Sequence, residues 1–530
     1  MLRKIRIAVA AVIFLALTVM FLDVSGTLHA WLGWTAKIQF LPALLATNFV
    51  VVAVLAVITL LFGRIYCSVI CPLGIYQDLV SHIGRKRRLK KHPYSYTPEH
   101  KILRYAVFAL FVTSLVAGAH ALVALVAPYS AYGRIAQNLF APVVEWINNL
   151  IAAISIRAGS YAVYPKEVWI RNIPTFIIAA LTFILVTVLA IKSGREYCNS
   201  FCPVGTTLSF LSRFSAFRMI IDQDKCKKCR ACERQCKAHC IDIKGGQVID
   251  YSRCVDCFDC MDSCKFDSMH YKFAWGGKSS AAKVEAAEAA KTQAAETAKT
   301  QAKVAEAKQA GAVNMEEAKP DAGRRAFLAA GAMAASALTL GAQEKKVDGG
   351  LAVIIDKKVP KREVPLTPFG SESVKDFYSR CTACQLCVSQ CPNNVLRPST
   401  TLRHLMQPEM SYEKGYCRPE CTICSQVCPA GAILPLEPEE KISWHIGKAI
   451  VDRSLCVVET DGVSCGNCAR HCPAGAIRMV RKDKDDKDSL RIPTVNEARC
   501  IGCGACEFVC PARPFSAIHV EGLEVHKKDA

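Results

Sequence analysis

The chain has 530 residues, of which 52% are hydrophobic, and its 66 Lys and Arg outweigh 46 Asp and Glu to give a formal charge of +20. That length accommodates three or more domains, and the 29 cysteines, mostly spaced two or three residues apart, favour thiolate ligation of metal over disulfides. The positive charge gathers beside apolar runs rather than among aromatics, as in membrane proteins oriented by cytoplasmic Lys and Arg, and this excludes nucleic acid as the expected partner.

Four runs are long and apolar enough to span a bilayer, at residues 5–22, 40–62, 102–127 and 173–191. Arg3, Lys4 and Arg6 precede the first, Arg85 to Lys91 follow the second, and Arg213 to Lys228 follow the fourth. These charges predict a four-span helical membrane domain over residues 1–213 with both ends cytoplasmic. The apolar stretch 134–156 contains Pro142, Glu145, Asn148 and Asn149. It is expected to lie in the outer interface with Trp146 as anchor; as a fifth span it would instead separate the motifs described next.

"GRIYCSVICPLG" after the second run and "GREYCNSFCPVG" after the fourth repeat one pattern. With four spans this is a duplicated two-helix unit, which brings Cys67, Cys71, Cys198 and Cys202 to one depth on the cytoplasmic side. Four such thiolates suit a soft metal or an additional iron–sulfur cluster. Two other readings stand beside this one: cysteines that pack helix ends next to a helix-stopping proline, and a transient redox or metal-transfer role.

Residues 214–277 carry two C-x2-C-x2-C-x3-C quartets, the two-cluster ferredoxin spacing, in which the fourth cysteine of each quartet ligates the other [4Fe–4S] cluster. One cluster is therefore expected on Cys226, Cys229, Cys232 and Cys264, and the other on Cys254, Cys257, Cys260 and Cys236. Lys237 and Lys265 replace the usual proline after the fourth cysteine, and Cys240 is left over as a packed thiol. Zinc is the competing occupant of such pairs.

Residues 278–322 collapse to Ala, Lys, Glu, Thr and Gln, which predicts a semi-rigid helical spacer of up to ~60 Å at about 1.5 Å per residue. Residues 323–349 begin "GRRAFLAAGAMAASALTLGA", similar to a twin-arginine export signal that, if uncleaved, forms a fifth membrane helix. Residues 350–530 hold four more quartets: Cys381, Cys384, Cys387 and Cys391; Cys417, Cys421, Cys424 and Cys428; Cys456, Cys465, Cys468 and Cys472; and Cys500, Cys503, Cys506 and Cys510. Each ends in Cys-Pro, and the insertions fall in the first gap, so four [4Fe–4S] clusters in α+β ferredoxin-like folds are expected, six in all.

The paired Cys-x3-Cys-Pro motifs followed by two ferredoxin quartets resemble the NapH type of membrane polyferredoxin. The twin arginines, "CTACQLCVSQCPNNVLRPS" and the three later quartets resemble the exported NapG/MauM type. The resemblance implies a fusion of the two, located in a bacterial cytoplasmic membrane, with the two-cluster domain cytoplasmic and the four-cluster domain periplasmic. It further implies oxidation of membrane quinol and delivery of electrons to a periplasmic reductase or multihaem cytochrome. It also implies that the exported quartets pair first-with-fourth and second-with-third, so that Cys510 completes the Cys381 cluster, Cys391 the Cys500 cluster, Cys472 the Cys417 cluster and Cys428 the Cys456 cluster. Tyr129, Arg134 and His120 are candidate quinol contacts near the outer side. The rival function is an accessory iron–sulfur reductase for metal-centre assembly, or for regulation of a respiratory enzyme.

Overall fold

The computed structural model describes residues 1–23, 26–91, 94–166, 168–274, 355–483, 485–486 and 488–529. The expected helical spacer and the twin-arginine segment fall outside the described residues. The first helix, Leu2–Phe21, has no Gly or Pro to interrupt it, and it shows how the molecule is arranged. At its start Arg3 pairs with Asp259 and Asp262 of the two-cluster domain, each at 2.8 Å. At its end the Met20 carbonyl accepts from Gln390 of the four-cluster domain at 2.6 Å. Those two contacts lie ~25 Å apart along the helix, at 1.5 Å per residue. Leu17 and Met20 are fully buried, whereas Val12 and Leu15 are 67% and 60% exposed, an apolar outer face that suits lipid.

Three further helical passages join the same two ends. Residues 40–62 run from Ala46, against Gly431, to Phe62, whose carbonyl accepts from Tyr271 at 3.0 Å. Residues 101–126 follow Thr97, whose carbonyl accepts from Arg253 of the smaller domain at 2.7 Å, and run to Ala124, packed with Ala383 and Met406. The helix Ile173–Ser193 runs from Asn172, which donates to the Pro398 carbonyl at 2.7 Å, to Arg195, whose N–H donates to Lys237 at 2.9 Å.

Two of the expected spans are broken. Residues 40–62 form Phe40–Leu45 and Phe49–Phe62, because Thr47 turns left-handed (φ 54°) and the Asn48 side chain caps the second helix by accepting from Val51 at 3.2 Å. Residues 102–127 form Lys101–Val116 and His120–Val126, with the break at Gly118 (φ 75°). Among the described residues, three helices are long and apolar enough to cross a membrane by length and composition: Leu2–Phe21, Pro128–Arg157 and Ile173–Ser193.

The stretch expected as an interface helix is thus longer than its sequence suggests. It begins at Pro128, and a π-turn at Ala136–Phe140 accommodates Pro142 near the start of the continuing segment. Its amides pair with the returning chain: Asn148 donates to Tyr164 at 3.0 Å, and Asn149 exchanges 2.7 Å hydrogen bonds with Lys166. That return, up to Asn172, is not helical, and bare backbone cannot cross lipid. Helix and return therefore begin and finish at the four-cluster end.

The cluster domains are small α+β units with five two-stranded antiparallel sheets among the described residues. Phe217–Ile221 pairs with Met269–Phe273 around the two-cluster domain, and Trp444–Val451 pairs with Ile518–Lys528 in the larger one.

Candidate metal centres

Within the uninterrupted quartets the backbone repeats one conformation. The residues two and four places after the first cysteine take positive φ: Lys228 and Arg230, Asp256 and Phe258, Ala383 and Gln385, and Gly502 and Gly504. Such alternating turns aim successive N–H groups into one concavity. Ala383 N–H reaches Cys381 Sγ at 3.4 Å, and Ala449 and Ala476 N–H reach Cys500 and Cys472 Sγ at 3.3 Å. Hydrogen bonds of this kind to sulfur tune a bound cluster. Among the described residues, no three His, Cys, Asp or Glu approach closely enough to hold a single ion.

The thiols sort by which of them act on one another. In the two-cluster domain burial raises the pKa of Cys232, and Cys226, Cys229 and Cys264 add to the effect. Burial likewise raises Cys260, with Cys257, Cys254 and Cys236 around it. These are the two groupings expected from the spacing. Cys240, 2% exposed, sits 3.4 Å from Cys236 Sγ, and its hydrogen bond pulls the Cys236 thiol below its ordinary value.

The four-cluster domain departs from the pairing the resemblance implied. Cys428 stands with Cys381, Cys384 and Cys387, and Cys391 stands with Cys417, Cys421 and Cys424. Cys510 joins Cys456, Cys465 and Cys468, while Cys472 joins Cys500, Cys503 and Cys506. Quartets therefore exchange their fourth cysteine first-with-second and third-with-fourth, which replaces the expected placements of Cys510, Cys391, Cys472 and Cys428. The reason is chain connectivity: neighbours in sequence close shorter loops.

The groups form a row. Cys232 and Cys260 adjoin in the smaller domain. In the larger one Cys387 adjoins Cys424, Cys417 N–H donates to Cys503 at 3.0 Å, and Cys506 adjoins Cys468. Lys441, only 2% exposed, donates to Cys417 Sγ at 3.2 Å, a fixed positive charge at the second tetrad.

Between the two domains lie Cys67, Cys71, Cys198 and Cys202, each 4% exposed. Burial raises Cys202 well above the ordinary thiol value, and Cys198, Cys71 and Cys67 each raise it further, so the four thiols share one site. The arginines that the two motifs share cross over it. Arg64 of the first donates to the Cys198 carbonyl at 3.2 Å and to Asn199 at 3.0 Å; Arg195 of the second donates to the Cys67 carbonyl at 2.7 Å. The motif glycines make room: a Cβ on Gly74 would lie 2.7 Å from Arg195 Nη1, and one on Gly205 would lie 2.7 Å from Arg64 Nη2. Both guanidinium groups are fully buried. Burial works against the charge of Arg64, and Cys67, Cys198 and Cys202 restore it.

Each flank of this site leads to a cluster domain. On one side Asp78 binds Arg6 and Arg195 at 2.8 Å and Lys237 at 2.9 Å, and Lys237 follows Cys236 in the chain. The Lys that stands for the usual proline is thus a docking residue, while Lys265 is exposed. On the other side Tyr66 adjoins Cys71 and Cys67, and Tyr129 stands between Tyr66 and the Cys384–Cys428 tetrad. Of the candidate quinol contacts, Tyr129 and Arg134 are buried there. Arg134 donates to the Ala124 and Leu125 carbonyls at 2.7 and 3.1 Å, a helix-end role. Neither they nor His120 line the cavities at the two ends of the helical unit. Asp78 had no signature in sequence; only its place one turn after the Cys-Pro-x-Gly motif could have drawn attention to it.

Comparison with known proteins agrees with this geometry. A 4Fe-4S binding domain family matches twice, at residues 44–91 and 173–221. A 4Fe-4S dicluster domain matches residues 463–513, which encloses most of the third and fourth quartets, and a second 4Fe-4S binding domain matches 374–397. The Escherichia coli ferredoxin-type protein NapG is 32% identical over 206 residues, 36% of this chain and 83% of its own length. The methylamine utilization ferredoxin-type protein MauM of Methylobacillus flagellatus is 32% identical over 165 residues, 30% of this chain and 70% of its own. The E. coli ferredoxin-type protein NapF is 27% identical over 181 residues, 34% of this chain and 99% of its own. With its quartets of thiols and these relatives, the chain belongs to the NapG/MauM family of ferredoxin-type iron–sulfur electron-transfer proteins.

Proposed function

We propose that this chain fuses a NapH-type membrane polyferredoxin to a NapG/MauM-type four-cluster ferredoxin, takes electrons from membrane quinol, and conducts them to a redox partner across the bilayer. The observation that carries this reading is the row of thiol tetrads. It runs from the Cys226 group through the Cys254 group, the four buried motif cysteines and the Cys381 group, and on through the Cys417, Cys500 and Cys456 groups. The four helical passages are the spans of this reading, and the duplicated motif sets their centre. The basic flanks put the two-cluster end in the cytoplasm. The Cys456 end of the row, where Leu455 and Val463 are exposed, then faces a periplasmic reductase or multihaem cytochrome.

The tetrads fit [4Fe–4S] clusters, since each offers four thiols, and backbone N–H groups reach Cys264, Cys381, Cys472 and Cys500 among them. Bound clusters supply one-electron transfer. Cys67, Cys71, Cys198 and Cys202 fit a further thiolate-held cluster, because the buried Arg64 guanidinium, unlike Arg195 with Asp78, draws its compensating charge from Cys67, Cys198 and Cys202. The protein's own part is to hold these sites close and dry.

The test uses Cys67→Ser and Cys198→Ser in the full chain. The six ferredoxin-type tetrads should keep roughly 24 iron at four per cluster, while quinol-driven reduction of the outer clusters slows sharply. Normal reduction in both variants would return these cysteines to helix-end packing, and stoichiometric zinc in place of iron and sulfide would remove the conduit altogether.

A further inference from the structure

Two cavities of about 300 Å³ lie at opposite ends of the helical unit. The one at the two-cluster end lies between the first helix and Pro72–Lys91. Ile7, Phe14 and Leu79 form its apolar wall, and Asp78, His82 and Lys237 its polar one. Ile7 and Leu79 are 44% and 52% exposed, on faces that meet lipid in the membrane reading. A molecule dissolved in the bilayer enters there sideways, without crossing water. The polar wall is fixed in place, because Asp78 is locked by Arg6, Arg195 and Lys237 and Lys237 also binds Asp259 at 2.9 Å. Lys237 follows Cys236 and Asp259 precedes Cys260 in the chain, so the cavity abuts the thiol tetrad that faces the membrane unit. Charged groups line both cavities, Arg3, Arg6 and Asp259 among them here, but the wall of this one is mainly apolar, whereas that of the opposite one, with Glu145, Lys166 and Arg171, is mainly polar and poorly suited to an isoprenoid tail.

We infer that the cavity between the first helix and Pro72–Lys91 is the quinol site, with the ring diol against Asp78 and Lys237 and the tail leaving past Ile7 and Leu79. This rests on the quinol-linked function proposed above and gives it a place. The volume matches the lower range of small-molecule sites, roughly 300–1,000 Å³. Oxidation of one quinol to quinone there releases two electrons and two protons. A [4Fe–4S] cluster held by Cys254, Cys257, Cys260 and Cys236 would take these electrons one at a time and would hand the first on along the row of tetrads before accepting the second. The protons leave by the polar rim at His82, which is exposed.

The experiment uses the full protein in liposomes, with duroquinol as reductant and an azido-substituted quinone as photoprobe. In the unmodified protein the label should fall within residues 7–14 or 78–82. Ala11→Trp fills the mouth without touching the Asp78 network. It should raise the duroquinol concentration for half-maximal cluster reduction by about tenfold or more, with reduction by dithionite and iron content unchanged. Label at Glu145 or residues 166–171, or unaltered half-saturation in Ala11→Trp, overturns this site while quinol-driven reduction of the unmodified protein keeps the proposed function. If duroquinol reduces no cluster in the unmodified protein, the function itself falls, and the site with it.

Discussion

At the two-cluster end ion pairs stand beside neutral contacts such as Tyr271 to the Phe62 carbonyl: Arg3 binds Asp259 and Asp262, and Lys237 binds Asp78 and Asp259. At the four-cluster end the contacts described are hydrogen bonds to uncharged acceptors, among them the Val388 carbonyl that takes the Arg171 guanidinium, and close backbone approaches. Asn138 donates to Gln385 at 2.9 Å, Gln390 donates to Met20, Asn172 donates to Pro398, and Gly133 lies against the Cys384 carbonyl. The difference follows from how each domain is tethered. Only a few residues separate the helix Pro203–Ser212 from the first strand of the smaller domain at Phe217, so covalent connection keeps it near and charges set its orientation. Buried ion pairs serve register better than net stability. The larger domain is joined through residues 275–354, a length over which tethering contributes little. Its seat must recognise it by shape and by hydrogen bonds to uncharged groups.

The ionic end should fail first when its common anion is removed. Asp78→Asn strips Arg6, Arg195 and Lys237 of a shared carboxylate and should cost about 3–5 kcal/mol. Limited proteolysis in membranes should then cut between the helical unit and the smaller domain, with the larger domain still protected. Equal protection of both domains would mean that charge does not hold this end. At the neutral end Gly133→Val is the matching change, since a Cβ there would lie 2.3 Å from the Cys384 carbonyl and 2.9 Å from the Phe21 ring. The expected loss is about 1–3 kcal/mol of docking, visible as faster amide exchange at residues 383–390. Unchanged exchange would show that the seat has slack. The smallest effect sharpens the contrast further out. His526, hydrogen-bonded to Thr367 at 3.2 Å, is held neutral by burial, with its pKa pushed down to about 4 from 6.5. Above pH 6.5 this ring does not alter stability. As pH falls from 6.5 toward 4 the unfolded chain takes up a proton that the folded one refuses, so stability declines, by about 1 kcal/mol at pH 5.5. His526→Gln should flatten that stretch of the thermal-unfolding profile, and parallel profiles for the two proteins would rule the account out.

Local features were readable from sequence because they rest on local chemistry. Cysteine spacing announced the tetrads, and in the smaller domain it also predicted how Cys236 and Cys264 cross over. The larger domain misled because every one of its quartets offers the same fourth cysteine, and spacing alone cannot say to which neighbour it belongs. The broken spans were hidden by hydropathy: Thr47 and Asn48 are too few to interrupt an apolar average, although Asn48 ends one helix and starts the next. Asp78 was invisible for a different reason. A single carboxylate within Pro72–Lys91 acquires meaning only when three cations from distant parts of the chain converge on it.

The crossed arginines have a consequence for how the protein is made. Arg64 finds its carbonyl partner on Cys198, 134 residues later in the chain, and Arg195 finds its own on Cys67. While the ribosome is still producing the second half, the first half therefore carries a guanidinium group with no place to go. Its charge keeps the nascent Cys-x3-Cys-Pro turn at the lipid–water boundary until the second turn arrives. Neither half completes the site alone, so it closes only when both are present, and any occupant must be loaded at that moment of closure or afterwards.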